Sequence, residues 1–414
     1  MLALGDNERT VPLPVHPSLL VASALSLGLG LTGCADDADE SPQGQAADAG
    51  AGFGADACAS PQTWSQELVT VDEPGQLQID GHPFVARGIN SYPLLQLMGA
   101  GRLDAVDDIF AQAAELGRPL VRTPAFLELG PSPARLRDDQ GALREEGLRA
   151  LDQILASADR HGVRLILILT NNWDDFGGAA AVVNMIAPGE ALPKNAFWSD
   201  ERALRLQLDY QTALVQRVNT INHRMYAEDP TIVAWELANE ARCERERTPL
   251  LCDDQTLVRW AKRMSDGLHM AGAQQLIAWG GAGYLGDHGE DLRSIASSGA
   301  VDVLTLHLYQ TSSASAAHPA EAAIAAGEAT LRERARVAAE AQLPLWLEEV
   351  NWKPAETSER DGERSRVLSA WLSVADSLGM GTLPWMIGER GRTDHDGYLI
   401  RPDDLATTAV LRCQ

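Results

Sequence analysis

The sequence predicts an α/β fold, a (β/α)8 barrel, as a single domain over residues 61–414 that follows an export signal and a flexible tether. Three observations lead there. From Gly81 to the C-terminus, short apolar runs suited to buried parallel strands alternate with stretches of helical period, and eight such runs can be assigned. The alternation has no internal break, and 414 residues at 45% hydrophobic content suffice for one large core. Several runs end on polar or acidic residues, and the carboxyl ends of the strands are where barrels carry chemistry.

Residues 18–33 form an apolar stretch about as long as a signal-peptide core, too short and too lightly flanked for a spanning helix. It ends Leu31-Thr32-Gly33-Cys34, which resembles a bacterial lipobox, so residues 1–33 are expected to be a lipoprotein signal with Cys34 lipidated. The preceding charges are unusual for a signal, Arg9 standing against Asp6 and Glu8. Residues 34–60 are rich in acidic residues, Ala and Gly, a composition that cannot bury enough apolar surface to order itself and reads as a tether. In an exported chain the remaining four cysteines can pair in three connectivities, of which the preferred one is Cys243 with Cys252 and Cys58 with Cys413. Metal binding is disfavoured by the absence of CxxC and HExxH spacings. The net charge of −24, from 58 acidic and 34 basic residues, argues against nucleic acid or anionic lipid as the main partner.

Within the domain, residues 68–79, broken by Glu73-Pro-Gly, alternate like a hairpin covering the bottom of the barrel. The first strand is 84–90. A helix over 105–116 leads to the second, 119–126, whose Arg122 is expected to be buried and therefore needs a carboxylate partner. Residues 145–160 put Leu148, Leu151, Leu155 and Ala158 on one helical face with Gly162 as the cap, and 164–169 follow as the third strand. The long connection that carries Trp173 and Trp198 is of the kind that binds something. A helix over 200–225, with Leu204, Leu208, Val215 and Val218 inward, returns the chain to the fourth strand, 232–237. Strands five to eight are 276–279, 303–306, 345–349 and 381–385, with an alanine-rich helix over 321–339. The strand, helix, strand rhythm stays intact throughout. Two glycine patterns, at Gly28 to Gly33 and Gly281 to Gly286, carry no nucleotide site, since one lies in the signal and the other opens no helix.

The fourth strand reads Asp229-Pro-Thr-Ile-Val-Ala-Trp-Glu-Leu-Ala-Asn-Glu-Ala-Arg-Cys243, and the seventh, Leu343-Pro-Leu-Trp-Leu-Glu-Glu349, also ends on carboxylates. The first of these strings resembles the acid/base strand of glycoside hydrolase family 5, most closely its endo-β-1,4-mannanases, with Ala241 in place of the usual Pro. Arg87-Gly-Ile-Asn90-Ser-Tyr92 resembles the family's opening motif, and Thr170-Asn171-Asn172-Trp173 with Gly177-Gly178 its Asn-Asn-Trp loop. Pro124 and Val350-Asn351 depart from its usual pattern.

The resemblance implies retaining hydrolysis of β-1,4-mannosidic bonds in mannan, galactomannan or glucomannan, with Glu240 as acid/base and Glu349 as nucleophile. Such chemistry uses one protonated and one ionised carboxyl roughly 5 to 5.5 Å apart. It further implies that Arg122 and Tyr309 keep Glu349 ionised, that Glu240 keeps its proton in a less polar pocket, and that Asn239 and His307 contact the sugar. Trp385 matches the family's sugar platform, with Trp173, Asn172 and Trp352 as further substrate contacts. Strand parity groups Leu345, Leu347 and Glu349 on one side and turns Glu348 toward the helical layer. Glu236 is expected to be a buried partner of Arg87 or Arg122. The reading carries no metal or organic cofactor, a monomer, and contact with a membrane only through the lipid anchor of an exported or secreted envelope protein. Its alternatives are action on another β-1,4-glycan such as glucan, an exo-β-mannosidase, and a surface glycan-binding lipoprotein without catalysis.

Overall fold

The computed structural model describes residues 64–72, 75–243, 252–309, 320–353 and 361–414. Eight parallel strands make the barrel: β1 (Ile89–Asn90), β2 (Leu120–Pro124), β3 (Arg164–Ile168), β4 (Ile232–Glu236), β5 (Leu276–Ala278), β6 (Leu304–Leu308), β7 (Leu345–Val350) and β8 (Gly381–Pro384). Strands β1 to β5 pair in sequence order, as do β6, β7 and β8. Bridges between Ala278 and Val303 and between Arg87 and Thr382 close the two arcs into one ring.

Helices α1 (Leu94–Gly99), α2 (Leu103–Glu115), α3 (Glu145–Arg160), α4 (Ala179–Ile186), α5 (Glu201–Val215), α6 (Asp254–Ala271), α7 (Leu292–Ala296), α8 (Ala320–Ala341), α9 (Asp361–Ser377) and α10 (Leu405–Cys413) follow the strands. Among the described residues no helix is long and apolar enough to cross a membrane. Two apolar clusters result. The larger lies between the strands and helices, and the smaller fills the barrel interior with Leu120, Ile166, Ala234, Ala278, Val303, Trp346 and Leu383. The predicted hairpin pairs Thr70–Val71 with Leu77–Ile79, and its Leu77, with Val69 and Phe84, plugs the interior cluster.

Two expectations are corrected. The helix expected over 200–225 ends at Val215, because Asn219 and Asp152 reorganise the chain beyond it. The Asn219 side-chain oxygen accepts from the Ile221 amide (2.8 Å), an Asx turn that competes with helical bonding, and Val218 is left 49% exposed rather than inward. The parity argument for strand seven is also reversed. Leu345 and Leu347 pack toward the helices and Trp346 into the barrel, so simple alternation sends Glu348 inward. A register shift between Leu347 and Glu349 against β6 keeps Glu349 inside as well, so both carboxylates enter the barrel.

Asp152, fully buried on α3, is the hub of the segment after α5. It accepts from Arg217 Nε (2.8 Å) and Nη2 (2.7 Å), from Thr220 Oγ1 (2.7 Å) and from Tyr226 OH (2.7 Å). Asp152→Ala leaves Arg217 its pair with Glu145 (3.1 and 3.2 Å) but removes the acceptor of the Thr220 and Tyr226 hydroxyls, and is expected to lower unfolding free energy by about 2–4 kcal/mol. Denaturant titration reads it directly, and a loss under about 1 kcal/mol contradicts the hub role.

Candidate active site

The site is built on Arg122, in the middle of β2 and wholly buried. Its five donors meet five acceptors. Nε and Nη2 grip Glu236 at 2.6 Å each, Nη2 also reaches Asn239 Oδ1 (2.7 Å), and Nη1 reaches Glu349 Oε1 (2.5 Å) and Asn90 Oδ1 (3.0 Å). Glu236 is thus the partner of Arg122. Arg87 pairs instead with Asp376, at 3.5 Å.

Glu349 also accepts from the Tyr309 hydroxyl at 2.6 Å. Burial first, and then the Glu349 charge, push the Tyr309 pKa up, so the phenol keeps the proton it donates. Opposite stands Glu240, in the loop after β4, with φ at +49°, a left-handed backbone rare for a carboxylate residue. Its amide is held by Gly280 O (2.7 Å). Oε1 meets His307 Nδ1 at 2.9 Å, while Oε2 accepts from Trp173 Nε1 (2.7 Å) and Arg242 Nη2 (2.6 Å). One ligand atom from each of Glu240, His307 and Glu349 falls within 4.8 Å of the others. That trio is the place where a cation could be held, but its atoms are already engaged by one another and by Arg122, Arg242 and Tyr309.

The expectation that Glu240 keeps its proton is not met in this unliganded arrangement. Burial alone would raise its pKa, but the hydrogen bond and charge of His307, the Arg242 charge and the Trp173 bond hold it down at about 2. Burial alone would lower the His307 pKa. The charge of Glu349 and the contacts to Glu240 and Glu348 push it up to about 10. Glu348 Oε2 lies 3.5 Å from His307 Nε2, on the far side of the ring, and does not turn to the helices.

A cleft of about 290 Å³ opens over these groups, lined by Asn171, Trp173, Asn239, Glu240, Glu349 and Trp385 among others. The Trp385 ring is backed by Tyr92, stacked at 5.9 Å and 17°. Of the expected substrate contacts, Asn172 and Trp352 are not in this lining. Asn172 is fully buried and Asn171, the preceding residue, faces the cleft instead, its Oδ1 accepting from Asn239 Nδ2 (3.0 Å). Trp352 is 2% exposed in the packing between strands and helices. Arg242, Tyr92 and Phe176 were not singled out as site residues. Arg242 stands two residues from Glu240, a spacing that invited attention.

The Cys243–Cys252 disulfide forms as expected. Cys413 is disulfide-bonded, and its expected partner Cys58 lies outside the described residues, as do Cys34, the signal and the tether.

The family model described as GH family 5 beta-mannosidase-like matches residues 128–364. The chain is 33% identical to mannan endo-1,4-beta-mannosidase 3 of Oryza sativa subsp. japonica over 260 residues, covering 56% of this chain and 53% of that one. It is 34% identical to mannan endo-1,4-beta-mannosidase 7 of the same plant over 215 residues, covering 51% and 54%. The chain therefore spans about half the length of these curated relatives. A hyperthermostable endo-1,4-beta-D-mannanase of Thermotoga petrophila superimposes with a TM-score of 0.67 at 27% identity, over 80% of this chain and 98% of that one. The endo-1,4-beta-mannanase of Rhizomucor miehei shares the fold, with a TM-score of 0.72 at 22% identity over 83% and 98%.

The His307 and Glu240 shifts have opposite signs and define a pH window. The raised His307 pKa gives stability that is whole below about 6.5 and lost as pH rises through about 10. The lowered Glu240 pKa gives stability that is whole above 4.5 and lost as pH falls through about 2. The Tm gap between wild type and His307→Gln is therefore expected to peak between about pH 4.5 and 6.5 and to shrink toward pH 10. A gap that widens from pH 6.5 to 10 contradicts the buried imidazolium.

Proposed function

The chain belongs to glycoside hydrolase family 5, in its β-mannosidase-like branch, and on that premise we propose that it is a retaining, endo-acting hydrolase of β-1,4-mannosidic bonds. The observation that carries the reading is the pair Glu240 and Glu349, one oxygen of each within 4.8 Å, facing a single cleft. That separation suits double displacement, in which no water has to fit between the carboxylates, better than the wider spacing of inverting enzymes. The relatives' endo-mannosidase activity and the neutral polysaccharide they act on support the same substrate class.

In this reading Glu349 is the nucleophile. Arg122 and Tyr309 fasten both of its oxygens, which aims the carboxylate at the anomeric carbon. The bond from Glu349 to that carbon forms as the glycosidic bond breaks, and Glu240 protonates the departing oxygen. Glu240, now ionised, takes a proton from a water whose oxygen bonds to the anomeric carbon as the bond to Glu349 breaks, which frees the Glu349 carboxylate and releases the sugar with retained configuration. Acid work by Glu240 requires its pKa to rise on binding. A sugar ring entering beside Trp173 excludes water from the carboxyl, which acts in that direction. Asn239 is the candidate for the sugar 2-hydroxyl, where hydrogen bonds strengthen in the transition state, and Trp385 is the platform for the ring. The leader adds export as a lipoprotein on Cys34. Labelling with radioactive palmitate, abolished by Cys34→Ala, tests that part separately.

Reducing ends released in parallel from galactomannan, carboxymethylcellulose and xylan test the substrate. Galactomannan is expected to be the one cleaved, and release from carboxymethylcellulose alone overturns the choice. Glu240→Ala is expected to slow mannan hydrolysis by at least ~10²–10⁴, with azide restoring turnover of an activated aryl mannoside as the β-azide. Glu349→Ala is expected to lose activity without that rescue. Wild-type activity in either variant rejects its assignment.

A further inference from the structure

We propose that Glu128, a buried carboxylate outside the cleft, is a positioning residue that anchors the loop over residues 171–178 and thereby places Trp173 on Glu240. The inference rests on the mannan-hydrolase reading and adds to it a residue that touches neither substrate nor reacting carboxylate.

Glu128 follows β2 and is 1% exposed. Its Oε1 accepts from Arg137 Nε (3.1 Å) and Nη2 (2.5 Å), and its Oε2 accepts from the Gly178 amide (2.9 Å). Its backbone reaches the same loop, since the amides of Glu128 and Leu129 both donate to Phe176 O, at 2.7 and 3.1 Å. Arg137 is itself buried, with its guanidinium 4.1 Å over the Tyr210 ring of α5. The anchor therefore stands on the scaffold, not on another loop.

The loop is shaped to this carboxylate. Phe176, Gly177 and Gly178 all have positive φ, at 64°, 134° and 74°. A Cβ on Gly177 would stand 2.0 Å from Glu128 Oε2, and one on Gly178 would stand 2.2 Å from Asn171 O. Only glycine lets the chain fold this closely over the acid. Phe176 is not glycine, and its left-handed backbone persists because its carbonyl is held from both sides of the Glu128 peptide.

The loop in turn connects the two halves of the cleft. Trp173 donates to Glu240 Oε2 at 2.7 Å, while the Phe176 ring lies 5.3 Å from Tyr92, which backs Trp385. The start of the loop is tied to the turn after β4, where the Asn172 amide donates to Asn239 O (3.0 Å) and Arg242 lies 4.5 Å over the Trp173 ring, and Glu128 holds its other end. A buried ion pair such as Glu128 with Arg137 gains little stability over apolar side chains of similar volume. What it supplies that hydrocarbon cannot is an acceptor aimed at the Gly178 amide.

The test is a double-mutant cycle with amide exchange. Glu128→Gln keeps the volume but puts an amide donor against either Arg137 or the Gly178 N–H. It is expected to lower kcat/KM on a mannan oligosaccharide on the order of tenfold to a hundredfold, as small misplacements do. In combination with Trp173→Phe it is expected to cost little more than Trp173→Phe alone. Exchange at the Gly178 amide is expected to quicken while α3 and α5 keep their protection. Losses that multiply, or unchanged exchange at Gly178, overturn the proposal. Should Glu128→Gln fail to fold, Gly177→Ala presses on the same carboxylate from the loop side and is held to the same two outcomes. Exchange is read without substrate, so an inactive wild type with Glu128-dependent exchange overturns the mannan reading and leaves the anchor standing.

Discussion

One guanidinium determines the rest of this site. Arg122 sits where water cannot reach it, and a buried cation without partners costs several kcal/mol. Its partners come from β1 (Asn90), β4 and the turn after it (Glu236, Asn239) and β7 (Glu349). Those strands are far apart in sequence, so the full set of bonds exists only once the ring has closed. Closing the barrel and aiming Glu349 are therefore one event, and the Asn90 amide extends the tie to the Glu348 and Leu383 carbonyls at 2.8 Å each.

The two candidate carboxylates are then separated by what holds them. Glu349 meets a fixed cation and a phenol that keeps its proton, with His307 Nδ1 farther off at 3.6 Å. Glu240 meets an imidazole, an indole and a second guanidinium, and one of these donors, Trp173, lines the cleft. The free protein stores the proton on His307 and the negative charge on Glu240. This is an arrangement that an incoming sugar is equipped to disturb, because it excludes water beside Glu240.

Much of this was legible in the chain. The apolar runs located all eight strands, because a strand buried on both faces needs near-continuous hydrophobicity. The polar ends of the fourth and seventh runs pointed to acids at one rim, and the family resemblance, not strand parity, selected Glu240 and Glu349. A buried Arg122 demanded a carboxylate, and it took Glu236 and Glu349. What went astray went astray for definite reasons. The α5 overshoot came from reading apolar spacing past Asn219, whose side chain offers the backbone a turn in place of a helix. Asn171 and Asn172 are neighbours of identical type, and only the path of the loop decides which one faces the cleft. Trp352 follows a rim residue in sequence but turns back into the packing layer.

By itself, the order of residues determined the barrel, the strands that carry acids and the need for Arg122 to be paired, because periodicity, burial and charge are local or additive properties. The tertiary structure alone decided that Glu348 and Glu349 both enter the barrel, through a register shift that alternation cannot foresee. It also decided that Arg242 and His307 hold Glu240 ionised at rest. Both depend on distances between segments far apart in the chain, and electrostatic energy in a dry interior varies steeply with such distances.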